Sequence, residues 1–64
     1  MSRRVKILTG MSEFIGQTGS VVGKEGHLLR VALDTPVEIE GLGSVADDLW
    51  EPRCLRTIRA KVSF

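Results

Sequence analysis

The sequence predicts an all-β domain, a partly open barrel of about five short antiparallel strands. Three observations carry this. Every apolar run is cut within about eight residues by glycine, proline or an acidic cluster, which leaves no room for sustained helical periodicity. The runs that survive alternate apolar with polar residues, as half-buried strands do. The connections between them are built from glycine and small polar residues that turn a chain sharply.

Val5 to Thr9 (VKILT) places Val5 and Ile7 on one face and Lys6 on the other, and Gly10 closes this first strand. Ser20 to Lys24 reads as the second strand, with Gly23 marking a bulge or a barrel corner. The clearest signal is His27 to Asp34 (HLLRVALD): Leu29, Val31 and Leu33 share the core parity, while Leu28, Arg30, Ala32 and Asp34 form a mixed face. Lys24, Glu25 and Gly26 between these runs predict a hairpin, with Gly26 taking positive φ. Pro36 argues against a central strand, so Val37 and Ile39 against Glu38 and Glu40 predict an exposed edge ribbon. GLGS then turns the chain, and Ser44 is expected to cap a single helical turn over Val45, Ala46, Asp47 and Asp48. Leu49 and Trp50 return as strand four. After Pro52, RCLRTI supplies strand five with Leu55 and Ile58 as core contacts, and Ile58, Ala60, Val62 and Phe64 alternate with Arg59, Lys61 and Ser63.

At 64 residues the chain is read as one domain, residues 1–64, with an acidic insertion at 34–51. A domain of this size has a core worth about 3–5 kcal/mol, so self-association is a natural means of burying more surface. The single cysteine, Cys54, excludes an internal disulfide. With neither a leader pattern nor a run of 18 apolar residues, the expectation is a cytoplasmic protein that does not engage a membrane.

Val5 to Val22 (VKILTGMSEFIGQTGSVV) resembles the KOW motif, in which a strand ends in glycine, a short apolar-tipped loop follows, and a G-x-x-G-x-V turn launches the second strand. Gly10, Phe14, Gly16, Gly19 and Val21 fall at the matching places, so Gly10, Gly16 and Gly19 join the hairpin glycine Gly26 as the structural turn residues. LRVALDTPVEIEGLG followed by DDLWEPRCLRTI resembles the SH3-like electron-transport accessory group, which includes the photosystem I accessory subunit and the plasmid-type dihydrofolate reductase. Both resemblances imply an SH3-like barrel. The second implies, as its least favoured consequence, an oligomeric pterin/NADPH reductase. The chain has no tyrosine, however, and SVADDLW stands where that reductase carries the Val-Gln-Ile-Tyr strand of its pore.

No residue pattern points to catalysis. GSVVGKEG has the wrong length for a phosphate-binding loop, lacks Ser or Thr after Lys24, and leads into a strand instead of a helix. His27, the single histidine, has no identifiable nucleophile to activate. Cys54 is close in sequence to Arg53 and Arg56, which admits a reactive thiol, but a small apolar packing role is the commoner fate of a free cysteine. One cysteine and one histidine give no metal-ligand spacing. The expectation is a noncatalytic protein with neither cofactor nor metal.

Charge distribution says more than the net charge of +1. Residues 34–51 hold Asp34, Glu38, Glu40, Asp47, Asp48 and Glu51 with no Lys or Arg, whereas the cations concentrate at the two ends. Arg3, Arg4 and Lys6, together with Arg53, Arg56, Arg59 and Lys61, form one positive face if the first and last strands are neighbours, and such a face suits phosphate backbone. The first functional expectation is therefore a binding module for nucleic acid or for a protein within a nucleic-acid-handling complex. The alternative is an accessory or self-assembling subunit that docks through Asp47, Asp48, Trp50 and Glu51, where an indole and carboxylates meet a basic partner. Trp50 is equally readable as a core filler in a chain with three aromatics.

Overall fold

The computed structural model describes residues 3–58. They form five strands, β1 (Arg3–Ile7), β2 (Thr18–Glu25), β3 (Leu28–Ile39), β4 (Gly43–Trp50) and β5 (Leu55–Thr57), with a 3-10 turn at Pro52–Cys54. All pairings are antiparallel, in one open sheet of order β4-β3-β2-β1-β5. β4 and β5 occupy opposite ends of that order, yet only the 3-10 turn separates Trp50 from Leu55. The sheet must therefore curl on itself, and the result is a small, partly open barrel.

Alternation decides which face turns inward. Val5 and Ile7 of β1, Val31, Leu33, Val37 and Ile39 of β3, Trp50 of β4 and Leu55 of β5 are buried together with Phe14, and Val21, Leu29, Val45 and Cys54 pack against them. Leu29, Val31 and Leu33 thus lie on the core side as their parity requires. Phe14 reaches the core from the β1–β2 connection, which Ile7 and Gly16 close: Gly16 N–H donates to the Ile7 carbonyl at 2.9 Å, and Ile7 N–H to the Gln17 carbonyl at 2.9 Å. Phe14 meets Trp50 edge to face, with ring centroids 5.3 Å apart and an interplanar angle of 80°. That geometry contributes about 0.5–1.5 kcal/mol beyond the area it buries.

Two glycines make the bend possible. Gly16 has φ +89°, a backbone that side-chain-bearing residues rarely adopt. Gly19 does not have positive φ but lies so close to β3 that a Cβ would stand 2.4 Å from the Ala32 carbonyl oxygen and 2.8 Å from Val31 Cγ1. The first lets the chain turn, and the second lets β2 press against β3.

The β2–β3 hairpin is tighter than the sequence predicts. Lys24 and Glu25 belong to β2, Glu25 pairs with Leu28, and Gly26 and His27 form the two-residue loop. Gly26 has φ +61° and His27 does not have positive φ, the arrangement of a type II′ turn, which suits the natural twist of a hairpin. The expected irregularity at Gly23 is present as a register shift between Val21 and Gly23 that leaves Val22 56% exposed.

The second half of the chain corrects two expectations. No helical turn follows Ser44: residues 43–50 are one continuous strand. Its pairing with β3, Val45 opposite Val37 and Asp47 opposite Ala32, outweighs the local capping signal. The acidic segment 34–51 comprises the end of β3, a turn and β4. Pro36 is accommodated inside β3 because β2 pairs no further than Leu33 and the β4 register breaks between Ala32 and Val37. A missing N–H is harmless there. Val37 and Ile39 still alternate with Glu38 and Glu40, but their apolar side faces the core.

Candidate nucleic-acid interface

The β1–β5 pairing brings the two cationic ends of the chain together. Val5 stands opposite Thr57, Lys6 opposite Arg56 and Ile7 opposite Leu55. Val5, Ile7 and Leu55 are buried, so alternation turns Lys6 and Arg56 to the outer face as a cross-strand pair, and both are exposed. Arg3 is tied to the same edge, since its Nε donates to Thr57 Oγ1 at 2.8 Å. Ile58 N–H donates to the Arg4 carbonyl at 2.9 Å and carries the pairing one residue further. Arg3, Lys6 and Arg56 have no carboxylate partner among the described residues.

Arg4 behaves differently. Its two terminal nitrogens reach the two carboxylate oxygens of Asp34, each at 2.5 Å, and Nη1 also donates to Ser20 Oγ at 3.1 Å. Thr18 Oγ1 donates to Asp34 Oδ2 at 2.6 Å. This outer-face network buckles β1 to β3 across β2, and it uses the Arg4 cation internally. The other cations are similarly divided. Arg30 pairs with Glu25 and reaches Asp47 at 3.5 Å, and Arg53 pairs with Glu51 at 2.7 Å on the 3-10 turn. Of the seven cations expected to make one face, the structure pairs Lys6 with Arg56 on the outer face without a carboxylate partner among the described residues, places exposed Arg3 at the same edge but on the strand parity of Val5 and Ile7, and engages Arg4 and Arg53. Arg59 and Lys61 lie outside the described residues.

The Arg4 and Thr18 hydrogen bonds to Asp34 lower its carboxyl pKa from 3.8 to about 2. A depressed folded pKa contributes stability that is complete above the unfolded value and disappears as pH falls through the folded one. The contribution of this group is therefore expected to be lost between about pH 4 and pH 2. In urea titrations the gap between wild type and Asp34→Asn should be widest above pH 4 and should narrow toward pH 2. A gap that does not change over that range contradicts the buckle.

The acidic docking set is also redistributed. Asp47 and Asp48 are exposed on β4 and Glu51 is half-buried, but Trp50 is only 8% exposed, beneath Phe14 and close to Gly10. Its indole is core, which removes it from the exposed contact surface expected from sequence. His27 is exposed at the β2–β3 turn and Cys54 is half-buried against the core. The described residues enclose no pocket, contain no group of metal-ligating side chains, and include no helix long and apolar enough to cross a membrane.

Sequence reading missed Thr18, Ser20 and the partnership of Arg4 with Asp34. Asp34 was visible as a polar residue on the mixed face of its strand. Its partner was not visible, because the pair is 30 residues apart and meets only through the registers of two strand pairs. Comparison with family models, curated proteins and solved structures finds no match to this chain.

Proposed function

We propose that this chain is a noncatalytic, KOW-like module of the SH3-like barrel class that binds nucleic acid through the outer face of β1 and β5. The observation that carries this reading is the exposed Lys6–Arg56 cross-strand pair, which has no carboxylate partner among the described residues, while Arg4, Arg30 and Arg53 are paired with carboxylates. Convex cationic β surface suits the phosphate backbone, a linear array of charge that needs no enclosing cavity. The strand order and the roles of Gly16 and Gly19 support the class assignment.

Affinity for mixed single- and double-stranded DNA and RNA should fall as salt rises. Each neutralised phosphate contributes a log–log slope of about −0.9 on duplex DNA and about −0.7 on single strands. Lys6→Ala with Arg56→Ala should therefore flatten the slope by roughly 1.5 and weaken binding at low salt without lowering stability. Arg4→Ala should do the reverse, lowering stability with little change in slope. Undetectable binding at low salt, or a slope indifferent to Lys6 and Arg56, rejects the reading.

A further inference from the structure

The two edges of the sheet differ in length and charge. β5 has three residues, whereas β4 has eight, and among the described residues no strand pairs with the side of β4 that faces away from β3. A free edge of that length offers main-chain donors and acceptors to an added strand. Its side chains restrict what can be added. Asp47 and Asp48 are exposed at its centre, and Asp48 stands opposite Val31, on the row where the β3 residue is fully buried. A second β4 laid against this edge would set carboxylates against carboxylates, which destabilises a cross-strand pairing. A cationic strand meets no such repulsion.

The chain itself contains a segment of that composition. Residues 59–64, Arg-Ala-Lys-Val-Ser-Phe, alternate Arg59, Lys61 and Ser63 with Ala60, Val62 and Phe64, a period of two that suits a sheet with one apolar side. They follow Ile58, whose N–H is bonded to β1 at the cationic edge. On β4 the apolar side is held by Val45 and Trp50, which pack into the core.

We propose that the free edge of β4 accepts residues 59–64 of a second copy as an added strand. Arg59 and Lys61 meet the acidic centre of the edge on the outer row, where Asp47 stands opposite Ala32, and Val62 and Phe64 lie along the row of Val45 and Trp50, which Asp48 shares. The two contacting surfaces are different, so copies join head to tail and close into a ring or extend as a chain. Six residues bury little area, so the association is weak and falls with ionic strength. It uses the edge of the sheet opposite the nucleic-acid face and stands or falls independently of that face.

Light scattering on size-exclusion peaks of the full chain, over a concentration series at low and high salt, tests this. At low salt the mass should rise above that of one chain with concentration, and it should return toward one chain at high salt. Hydrogen exchange at the β4 amides facing away from β3 should slow as the mass rises. R59E/K61E and D47K/D48K should each weaken association by about tenfold or more, and combining the two sets in one chain should restore it. Asp47 and Asp48 are exposed, and unchanged circular dichroism spectra are expected for all of these variants. A one-chain mass at every concentration and salt overturns the proposal, which includes the case of the segment pairing within its own chain. Association that R59E/K61E leaves unaltered overturns it as well.

Discussion

Gly19→Ala is expected to remove much of the stability of the domain. The added Cβ would sit 2.4 Å from the Ala32 carbonyl oxygen, and a backbone atom in the middle of a ladder cannot swing aside as the end of a side chain can. Val31 Cγ1, at 2.8 Å, belongs to a residue with no exposed surface, so the clash is closed on that side too. β2 and β3 must separate, which costs about 1–3 kcal/mol or more. Against a total of about 3–5 kcal/mol for a domain this small, that is much of the stability. The midpoint of thermal unfolding should drop by about 4–8 °C for each kcal/mol lost. Gly16→Ala is the instructive control: its φ is +89° but nothing lies within 4 Å, so it bears backbone strain alone, about 1–2 kcal/mol. Urea denaturation should rank wild type above Gly16→Ala and Gly16→Ala above Gly19→Ala. The reverse order of the two variants would contradict the close approach of β2 to β3.

Those two glycines also define what the sequence could and could not reveal. A turn between strands was legible from Gly16 to Gly26, because glycine spacing and flanking valines are local signals. Which glycine served dihedral freedom and which served proximity was not legible, since proximity depends on what lies across the sheet. The same division runs through β3. Leu29, Val31 and Leu33 declared their common face by parity alone, and burial follows that parity. Pro36 suggested that the strand had already ended, because its harmlessness depends on where β2 stops pairing. Asp47 and Asp48 suggested a capped turn, because the strand partner that holds them extended is supplied by residues 31 and 32. The cationic edge was anticipated from the neighbouring first and last strands, but its membership was not: Asp34, read as part of an acidic block, neutralises Arg4 and leaves Lys6 and Arg56 as the exposed pair.

Trp50→Ala distinguishes core from contact surface. The indole is 8% exposed, meets Phe14 edge to face, and lies where the curled sheet brings the end of β4 over the β1–β2 connection. Truncation removes the largest side chain of the core and leaves a cavity between those elements, a loss of about 3–5 kcal/mol. That is comparable with the whole stability of the domain, so the variant should be unfolded without any partner present. Trp50→Phe keeps an aromatic ring against Phe14 and should lose distinctly less, which separates the aromatic contact from volume alone. As the single tryptophan, Trp50 also reports on itself: emission should be blue-shifted in the folded chain and should move red with the same urea midpoint as the circular dichroism signal. A recognition residue would behave oppositely, with Trp50→Ala as stable as wild type and emission already red in the native state, and that pair of results would move Trp50 from the barrel core to its surface.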